Sequence, residues 1–196
     1  MAQPYPLDNS GFEMQDLLES GGFTRRGLKS NSKQRKEQAL KLIAQKFSQP
    51  PAAMLQQLVE AAVEHCGADS AGVSLEEPDG KGGMQFRWVA VAGSFKKYLG
   101  GTTPRSFSPC GVCLDRWRAQ QYLVSQPYYD FLGVSAAPIL DGMLIPWASD
   151  PMRGTIWAVS HQSQDAFDLS DYSTLKALAN LVTVAIDYQY RKQITM

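Results

Sequence analysis

The chain has 196 residues, of which 44% are hydrophobic, and its 19 Lys and Arg residues balance its 19 Asp and Glu residues. This length suits one domain with a sizeable core and an added arm, whereas two full domains would be crowded. The balanced charge excludes a global attraction to nucleic acid or to an anionic membrane, so neither partner is predicted. Three cysteines, no secretory segment near the N-terminus and no apolar run of bilayer length predict a cytoplasmic protein without a disulfide framework.

Residues 1–30 form a predicted N-terminal arm that is rich in Gly, Pro and Ser and has no core of its own. Within it, Phe12, Leu17 and Leu18 are predicted to cover one or two helical turns. A basic run follows, which most simply indicates a solvated linker, with a nucleic-acid or acidic-partner contact as the alternative. The run consists of Arg25, Arg26, Lys29, Lys33, Arg35 and Lys36.

Two helices are predicted before the first core strand. In the linker 31–49, Ser32 is positioned to cap a helix that runs to about Phe47, and its narrow apolar stripe is typical of a helix that lies against a partner. The stripe consists of Leu40, Ile43, Ala44 and Phe47. Pro50 and Pro51 end this helix and start another, which Gly67 terminates. The inward side of that second helix carries Leu55, Leu58, Val59, Ala62 and Val63.

A hairpin and an irregular cover are predicted next. Ala71, Val73 and Leu75 alternate as one strand, and the turn-rich segment 78–83 leads to a second strand that Gly93 closes. The buried side of the second strand is predicted to carry Met84, Phe86, Trp88, Ala90 and Ala92. The segment 94–137 is irregular, and an insertion of this length is uncommon unless it covers a site. Shorter pieces are predicted as helices at 95–99 and 111–118, as a strand at 122–125, and as a strand at 139–147 that ends or frays at Pro146.

The region 153–188 is predicted to form a strand, a loop and a long closing helix. Thr155, Trp157 and Val159 alternate with the period of a strand, and Asp168 or Ser170 can cap the helix that follows. Its apolar residues recur at helical spacing and are Leu175, Leu178, Leu181, Val182, Ala185 and Ile186. The order of elements predicts an α+β domain with an antiparallel sheet and with its first and last helices on one face.

The closing helix resembles that of GAF domains, which are small cytoplasmic sensor modules. The matching residues are Phe167, Asp171, Leu175, Leu178 and Ala179, followed by Val184, Ala185 and Ile186. The similarity extends to 154–159, Gly93 and 103–111, and the segment 108–111 is similar to GAF domains ahead of bacterial, often cyanobacterial, sensor histidine kinases. The resemblance implies a GAF-like domain over residues 50–190, followed by a short tail at 191–196. It further implies that the irregular cover closes a ligand pocket on the face of the sheet opposite the helices.

The cysteines offer limited chemistry. Cys110 and Cys113 form a C-x-x-C motif at a predicted helix start, where backbone amides lower the pKa of a thiol by stabilising the thiolate. A redox or ligand-linking role is open, but small buried thiols are the simpler interpretation, since no second cysteine pair completes a zinc site. No metal site is predicted. Cys66 and His65 are interpreted as packing and capping residues at a helix end.

The resemblance also restricts the cofactor, which stays unknown. Some GAF domains bind a linear tetrapyrrole through a cysteine followed directly by histidine, but Gly111 follows Cys110 and Leu114 follows Cys113, so a covalent bilin is not predicted. Of the set found in GAF domains that bind cyclic nucleotides, only Phe167 and Asp171 are present. A GAF-fold reductase of free methionine sulfoxide has more widely spaced cysteines in its covering loops.

The predicted ligand site combines the aromatic residues of the cover and the strands with the two thiols, because ring faces suit a flat ligand. Its residues are Trp88, Phe107, Cys110, Cys113, Trp117, Tyr128, Tyr129, Trp147 and Trp157. For most of these rings, simple filling of the core is the favoured interpretation. Arg105 or Arg116 is a candidate to meet an anionic group on a ligand.

The leading prediction is a non-enzymatic GAF-type sensory or regulatory domain that binds a small molecule and acts on a sensor kinase or another signalling partner. Steps of three and four along the closing helix predict a homodimer through the terminal helices. The predicted interface consists of Leu40, Ile43, Phe47, Leu175, Leu178, Val182 and Ala185. The alternatives are a small thiol reductase of the free methionine sulfoxide type that uses Cys110 and Cys113, and a purely structural dimerisation module.

Overall fold

The computed structural model describes residues 11–29 and 50–194, together with Gln34, Glu37, Gln38 and Lys41. The helix predicted from Ser32 to Phe47 lies almost entirely outside the described residues. The same holds for its stripe residues and for three members of the basic run, which are Leu40, Ile43, Ala44, Phe47, Lys33, Arg35 and Lys36.

Seven strands and five α-helices can be given bounds in the described ranges. The strands are β1 (Phe12–Asp16), β2 (Ser70–Pro78), β3 (Met84–Gly93), β4 (Thr102–Pro104), β5 (Gln120–Val124), β6 (Ile139–Ser149) and β7 (Met152–Ser160). The helices are α1 (Gly21–Thr24), α2 (Pro51–Cys66), α3 (Pro109–Arg116), α4 (Gln126–Leu132) and α5 (Leu169–Ile194). Two 3-10 turns, Ser94–Tyr98 and Arg105–Phe107, flank β4.

All seven strands belong to one sheet in the order β1-β5-β6-β7-β2-β3-β4, and every neighbouring pair is antiparallel. Helices α2 and α5 pack together on one face, where Leu58, Leu175 and Leu178 are fully buried. The cover that contains α3 and α4 packs on the opposite face. The predicted α+β architecture is confirmed.

The N-terminal arm is part of this sheet, and the prediction of helical turns there is wrong. Phe12 and Met14 are buried while the residues between and after them are exposed, which is the period-two pattern of a strand. β1 pairs with β5 from Phe12 opposite Val124 to Asp16 opposite Gln120, so it covers an edge that would otherwise expose unpaired backbone groups. Further along the arm, Leu17 and Phe23 are completely buried in the core.

Two basic residues of the arm form ion pairs, which corrects the expectation of a solvated linker. Arg26 donates to Asp141 Oδ2 at 2.6 Å and to the carbonyl oxygen of Phe167 at 2.7 Å. Lys29 donates through Nζ to Asp171 Oδ2 at 2.7 Å. Because the Asp141 side chain is fully buried, the cation is its necessary partner. These contacts fasten the arm to the start of α5.

A β-bulge in β3 divides its side chains between the two faces of the sheet. Val73 pairs with Ala90, but Ser74 pairs with Trp88, so Val89 is an extra residue on that strand. Trp88 therefore lies on the side of the cover, whereas Ala90 lies on the side of the helices. The sequence predicted that Met84, Phe86, Trp88, Ala90 and Ala92 all lie on one side of this strand. That prediction is wrong, because the extra residue reverses the alternation between Trp88 and Ala90.

Several element ends are as the sequence predicts. Gly67 ends α2 in the left-handed conformation with φ 68°. Asp168 caps α5, accepting through Oδ1 from the backbone N–H of Ser170 at 2.7 Å and of Asp171 at 3.0 Å.

β6 does not end or fray at Pro146, as the sequence predicts, but continues to Ser149. This is possible because the pairing of β6 with β5 ends at Leu144, so the missing N–H of the proline costs no bond to that strand.

Candidate functional site: a cavity under the cover

A cavity of about 120 Å³ lies between the sheet and its cover, on the face opposite α2 and α5. Seven of its lining residues are aromatic, and none is charged. The lining consists of Trp88, Phe95, Tyr98, Gly101, Thr102, Thr103, Ser108, Pro109, Cys110, Tyr122, Val124, Tyr128, Tyr129, Leu132, Val134, Ala136, Ile139, Leu144 and Trp157. The cavity is therefore an apolar site with aromatic walls.

The sheet side of the cavity depends on a glycine opposite a tryptophan. Gly72 on β2 faces Trp157 on β7, and a Cβ atom at Gly72 would lie 2.2 Å from Trp157 Cζ2. With no side chain there, the indole lies against β2 and donates through Nε1 to Ser74 Oγ at 3.0 Å. Its ring centre is 5.0 Å from that of Trp88, in a tilted arrangement. The two indoles thus form one continuous wall.

The cover side is closed by hydrogen bonds from tyrosine hydroxyls. Tyr128 on α4 donates to the carbonyl oxygen of Phe107 at 3.2 Å. Tyr98 donates to the carbonyl oxygen of Ser135, which holds the segment 133–138 across the cavity. The lining residues Val134 and Ala136 belong to this segment. These two bonds connect three parts of the cover that are distant in sequence.

The hydroxyl of Tyr129, unlike those of Tyr98 and Tyr128, is buried and has no hydrogen-bond partner among the described residues. Only 4% of this residue is exposed. A buried polar group without a partner costs about 1–3 kcal/mol, so most such groups are satisfied. Burial raises the pKa of Tyr129, and also of Tyr122 and Tyr128, so all three phenols stay neutral. Tyr129 thus offers one neutral polar contact in an apolar site.

The two thiols of the C-x-x-C motif are not activated. Ser108 caps α3 by accepting from the N–H of Cys110 at 3.2 Å, as a helix start requires, and Cys110 Sγ accepts from the Thr155 hydroxyl at 3.2 Å. Burial nevertheless raises the pKa of Cys110, and it raises that of Cys113 further. The predicted lowering is wrong because the loss of hydration outweighs the effect of the helix amides. Neither thiol is a ready nucleophile at neutral pH.

The structure brings together five of the nine predicted ligand-site residues, namely Trp88, Cys110, Tyr128, Tyr129 and Trp157. The other four do not line the cavity. Phe107 stacks on the ring of Tyr128 at 5.5 Å, and Cys113 is buried with its thiol 3.8 Å from the Leu144 carbonyl oxygen. Trp117 is 51% exposed beyond the end of α3, and Trp147 is buried in the core on the side of the helices.

Other lining residues were not singled out from the sequence. Phe95 and Tyr98 are three residues apart in a 3-10 turn, where positions i and i+3 eclipse, and this spacing was a usable signal. Val124 lies two residues after Tyr122 on β5, so its place on the cavity side is also readable from the alternation of that strand. Leu144 on β6 had no such signal, because both faces of that strand are buried.

The two arginines considered for an anionic ligand are occupied elsewhere. Arg105 pairs with Glu76 at 2.8 Å and with Asp115 at 2.5 Å. Arg116 donates to Gln120 Oε1 at 2.5 Å. Neither arginine lines the cavity. The site therefore presents no cation to a ligand.

The predicted dimer residues of α5 are fully buried within the subunit, in the core that this helix shares with α2 and the sheet. They are Leu175, Leu178, Val182 and Ala185. Helix α2 occupies the predicted seam, so these side chains are not available to a second copy. On the outer side of α5, Val184 and Tyr188 are 46% and 52% exposed.

Two further classes of site are absent from the described ranges. No group of three or more His, Cys, Asp or Glu side chains is placed to hold a metal ion there. No helix in those ranges combines the length and the apolar character that a membrane-spanning segment needs.

No protein-family sequence model matches this chain, and no characterised protein matches it in sequence. Solved structures do match in fold. The GAF domain of a phosphoenolpyruvate-protein phosphotransferase (ptsP) from Coxiella burnetii is 17% identical with a TM-score of 0.64, over 84% of this chain and 97% of that one. A phycoerythrobilin-bound GAF domain from a cyanobacterial phytochrome is 12% identical with a TM-score of 0.60, over 82% and 99%.

A third similar structure is an enzyme. The free methionine-R-sulfoxide reductase from Neisseria meningitidis, solved in complex with its substrate, is 15% identical with a TM-score of 0.62, over 86% of this chain and 98% of that one. At such low identity these likenesses establish the fold alone. The chain has the GAF fold.

Proposed function

We propose that this GAF-fold chain is a cytoplasmic sensory or regulatory domain that binds a small molecule in the cavity and passes the event to its terminal helices. The observation that carries this proposal is the aromatic cavity under the cover with its unsatisfied tyrosine hydroxyls. Ligand pockets are mostly apolar with a few polar groups that fix orientation, which is the composition found here. The sensory GAF domains among the similar structures support the same class of function.

The N-terminal arm offers a route from the cavity to α5. Near the cavity, the Gly11 carbonyl oxygen accepts from the N–H of Ser125 at 2.8 Å, and the Phe12 ring meets the lining residue Tyr128 edge-on at 5.4 Å. Farther along the arm, Arg26 and Lys29 bind the start of α5. A ligand that shifts α4 would therefore pull on β1 and, through it, on the closing helix.

Native mass spectrometry of the protein purified from its own source tests this proposal. We expect a bound small molecule, released on unfolding, and slower hydrogen exchange in residues 126–138 when it is bound. Ala136→Phe serves as the matched variant because the added ring occupies the cavity, so this chain should fold and bind no ligand. A ligand retained equally by Ala136→Phe would contradict the assignment of the site.

The shared fold with the methionine-R-sulfoxide reductase is the observation that favours a thiol reductase as the alternative. Two features of the cavity disfavour it. A free amino acid carries an ammonium and a carboxylate, for which the lining has no charged partner. The buried Cys110 and Cys113 also have raised pKa values. Turnover of methionine sulfoxide with a thiol reductant, abolished by Cys110→Ser, would replace the sensory proposal by this one.

We also propose that two copies pair through the outer side of α5. Ala177, Leu181, Val184 and Tyr188 are partly or largely exposed and follow one another at steps of four, three and four, which is the spacing of a two-helix seam. Sedimentation equilibrium at tens of micromolar should show a dimer. Val184→Lys should give a monomer, whereas the exposed neighbour Lys176→Glu should not change the mass; a monomeric wild-type chain would contradict this pairing.

A further inference from the structure

We infer that the cavity takes an uncharged molecule of about one aromatic ring that carries a single hydrogen-bonding group, a conclusion that rests on the proposed function and deepens it. Three independent observations lead to this ligand class. They are the absence of charge from the lining, the volume of the cavity and the unsatisfied hydroxyls of Tyr122 and Tyr129.

The lining selects against charged ligands. None of its residues is an Asp, Glu, Lys, Arg or His. Its buried phenols cannot supply a counter-charge, because burial raises the pKa of Tyr122, Tyr128 and Tyr129 and keeps them protonated. An ionised ligand would lose its hydration without gaining a partner. Phosphates, carboxylates and zwitterionic amino acids are thus excluded by their chemistry.

The volume selects against large ligands. An apolar cavity of about 150 Å³ in another protein accepts benzene, so a cavity of about 120 Å³ suits a molecule of a single ring. The walls suit an aromatic ring, since Trp88 is stacked with Phe95 and tilted against Trp157, and Phe95 meets Trp157 edge-on, with ring centres 5.0–6.3 Å apart. A tetrapyrrole, with four rings, exceeds this space while the bond from Tyr98 to Ser135 holds the cover closed.

The lining hydroxyls that lack a hydrogen-bond partner show where a polar group of the ligand can bind. Tyr98 and Tyr128 already donate to backbone carbonyl oxygens, and Ser108 accepts from the N–H of Cys110. Tyr122 and Tyr129 are the buried lining tyrosines whose hydroxyls form no hydrogen bond in the described residues. A ligand oxygen or nitrogen placed against either hydroxyl would form a missing bond, which makes Tyr122 and Tyr129 the residues that determine specificity.

Phenol, toluene and benzoate test the inference, because they share a ring and differ in one substituent. Dissociation constants for the full chain are measured by ligand-observed NMR. We expect phenol and toluene to bind wild type with similar affinity, since the bond to Tyr122 or Tyr129 offsets the hydration that phenol loses. In the double variant Tyr122→Phe/Tyr129→Phe the affinity for phenol relative to toluene should fall about tenfold, the size of one hydrogen bond, and the two single variants show which hydroxyl makes it. Benzoate should bind wild type at least about a hundredfold more weakly than phenol.

Two variants control the experiment. Tyr128→Phe removes a hydroxyl that already has a partner, so it should leave the ratio of phenol to toluene unchanged. Ala136→Phe should abolish binding of both, which places them in the cavity, and a thermal transition confirms that each variant is folded. An unchanged ratio in the double variant Tyr122→Phe/Tyr129→Phe would overturn the role of these hydroxyls.

The outcomes separate this inference from the proposed function. Benzoate binding that exceeds phenol binding and is lost in Ala136→Phe would overturn the ligand class and leave a sensory cavity standing. The same holds if native mass spectrometry finds a charged or multi-ring molecule that Ala136→Phe does not retain. If no probe binds and the protein from its source carries no small molecule, the ligand class and the proposed function both fail.

Discussion

Replacing Gly72 by alanine should destabilise the domain and push the indole of Trp157 into the cavity. The added Cβ would lie 2.2 Å from Trp157 Cζ2, whereas carbon atoms in contact are separated by about 3.5–4.0 Å. The indole must therefore move by more than about 1 Å, and the cavity is the space into which it can move. The shift also breaks its bond to Ser74 Oγ.

The magnitude follows from these two effects. Overpacking in a well-filled region costs about 1–3 kcal/mol, and the lost hydrogen bond adds about 1 kcal/mol, so the free energy of unfolding should fall by about 2–4 kcal/mol. For a chain of this size the melting temperature should fall by roughly 4–16 °C. Urea unfolding gives the free energy, and tryptophan fluorescence reports the displaced indole. Phenol should no longer bind.

Two controls decide whether the reasoning is right. Gly27→Ala adds a methyl group with no atom within 4 Å, so it should change the free energy of unfolding by less than about 0.5 kcal/mol. In a Trp157→Phe background the smaller ring relieves the clash, so Gly72→Ala should cost less than about 1 kcal/mol there. The explanation would be refuted if Gly72→Ala destabilised both backgrounds equally, because the cost would then come from the backbone and not from Trp157.

Two further predictions concern the arm and the thiols. Arg26→Ala leaves the buried Asp141 carboxylate without its cation and should lower the free energy of unfolding by about 3 kcal/mol, measured with urea. The control Arg25→Ala changes an exposed neighbouring residue and should stay near wild type. Equal effects of the two variants would contradict the ion pair. Burial raises the pKa of Cys110 and Cys113 in the folded protein above the value of about 8.5 in the unfolded chain. The free energy of unfolding should therefore be constant below about pH 8.5 as far as these thiols are concerned, and it should fall at higher pH, where the thiols ionise only in the unfolded chain. Unfolding measured from pH 7 to 10 should show the decline, and a thiol reagent at pH 8 should modify both cysteines only after denaturant is added.

The predictions that succeeded rest on local chemistry. Gly67 ends α2 because only a residue without a Cβ takes the left-handed conformation at little cost, and Asp168 caps α5 through a bond to the backbone two residues later. Both effects act within a few residues of sequence, so the pattern alone was enough. The antiparallel order of the sheet followed in the same way, from short connections between strands.

The arm was misjudged because its stability comes from residues far away in sequence. The partners of Arg26 and Lys29 lie more than 100 positions later, at Asp141 and Asp171. A run of basic residues reads as a solvated linker when its buried acidic partners are not visible. The alternation of Phe12 and Met14 is typical of a strand, but nothing in the arm shows which distant residues its basic side chains bind.

The dimer surface of α5 shows a different limit. Leu175, Leu178 and Val182 follow one another at steps of three and four, but so do Leu181, Val184 and Tyr188. The sequence therefore carries two apolar stripes on one helix, and spacing cannot tell which one the subunit buries. The structure decides that the first stripe packs on α2, while Val184 and Tyr188 of the second stripe are exposed.

The cavity itself depends on a feature that the sequence pattern conceals. A regular β3 would place Trp88 on the same face as Ala90 and Ala92, where α2 packs. Those alanines are small and fully packed against the helix, so an indole beside them would force α2 away from the sheet. The bulge at Val89 instead sends the large ring to the cover and the small residues to the helix. One extra residue thus lets a single strand serve a close-packed layer and a ligand cavity at once, which is why the wall formed by Trp88 could not be predicted from alternation.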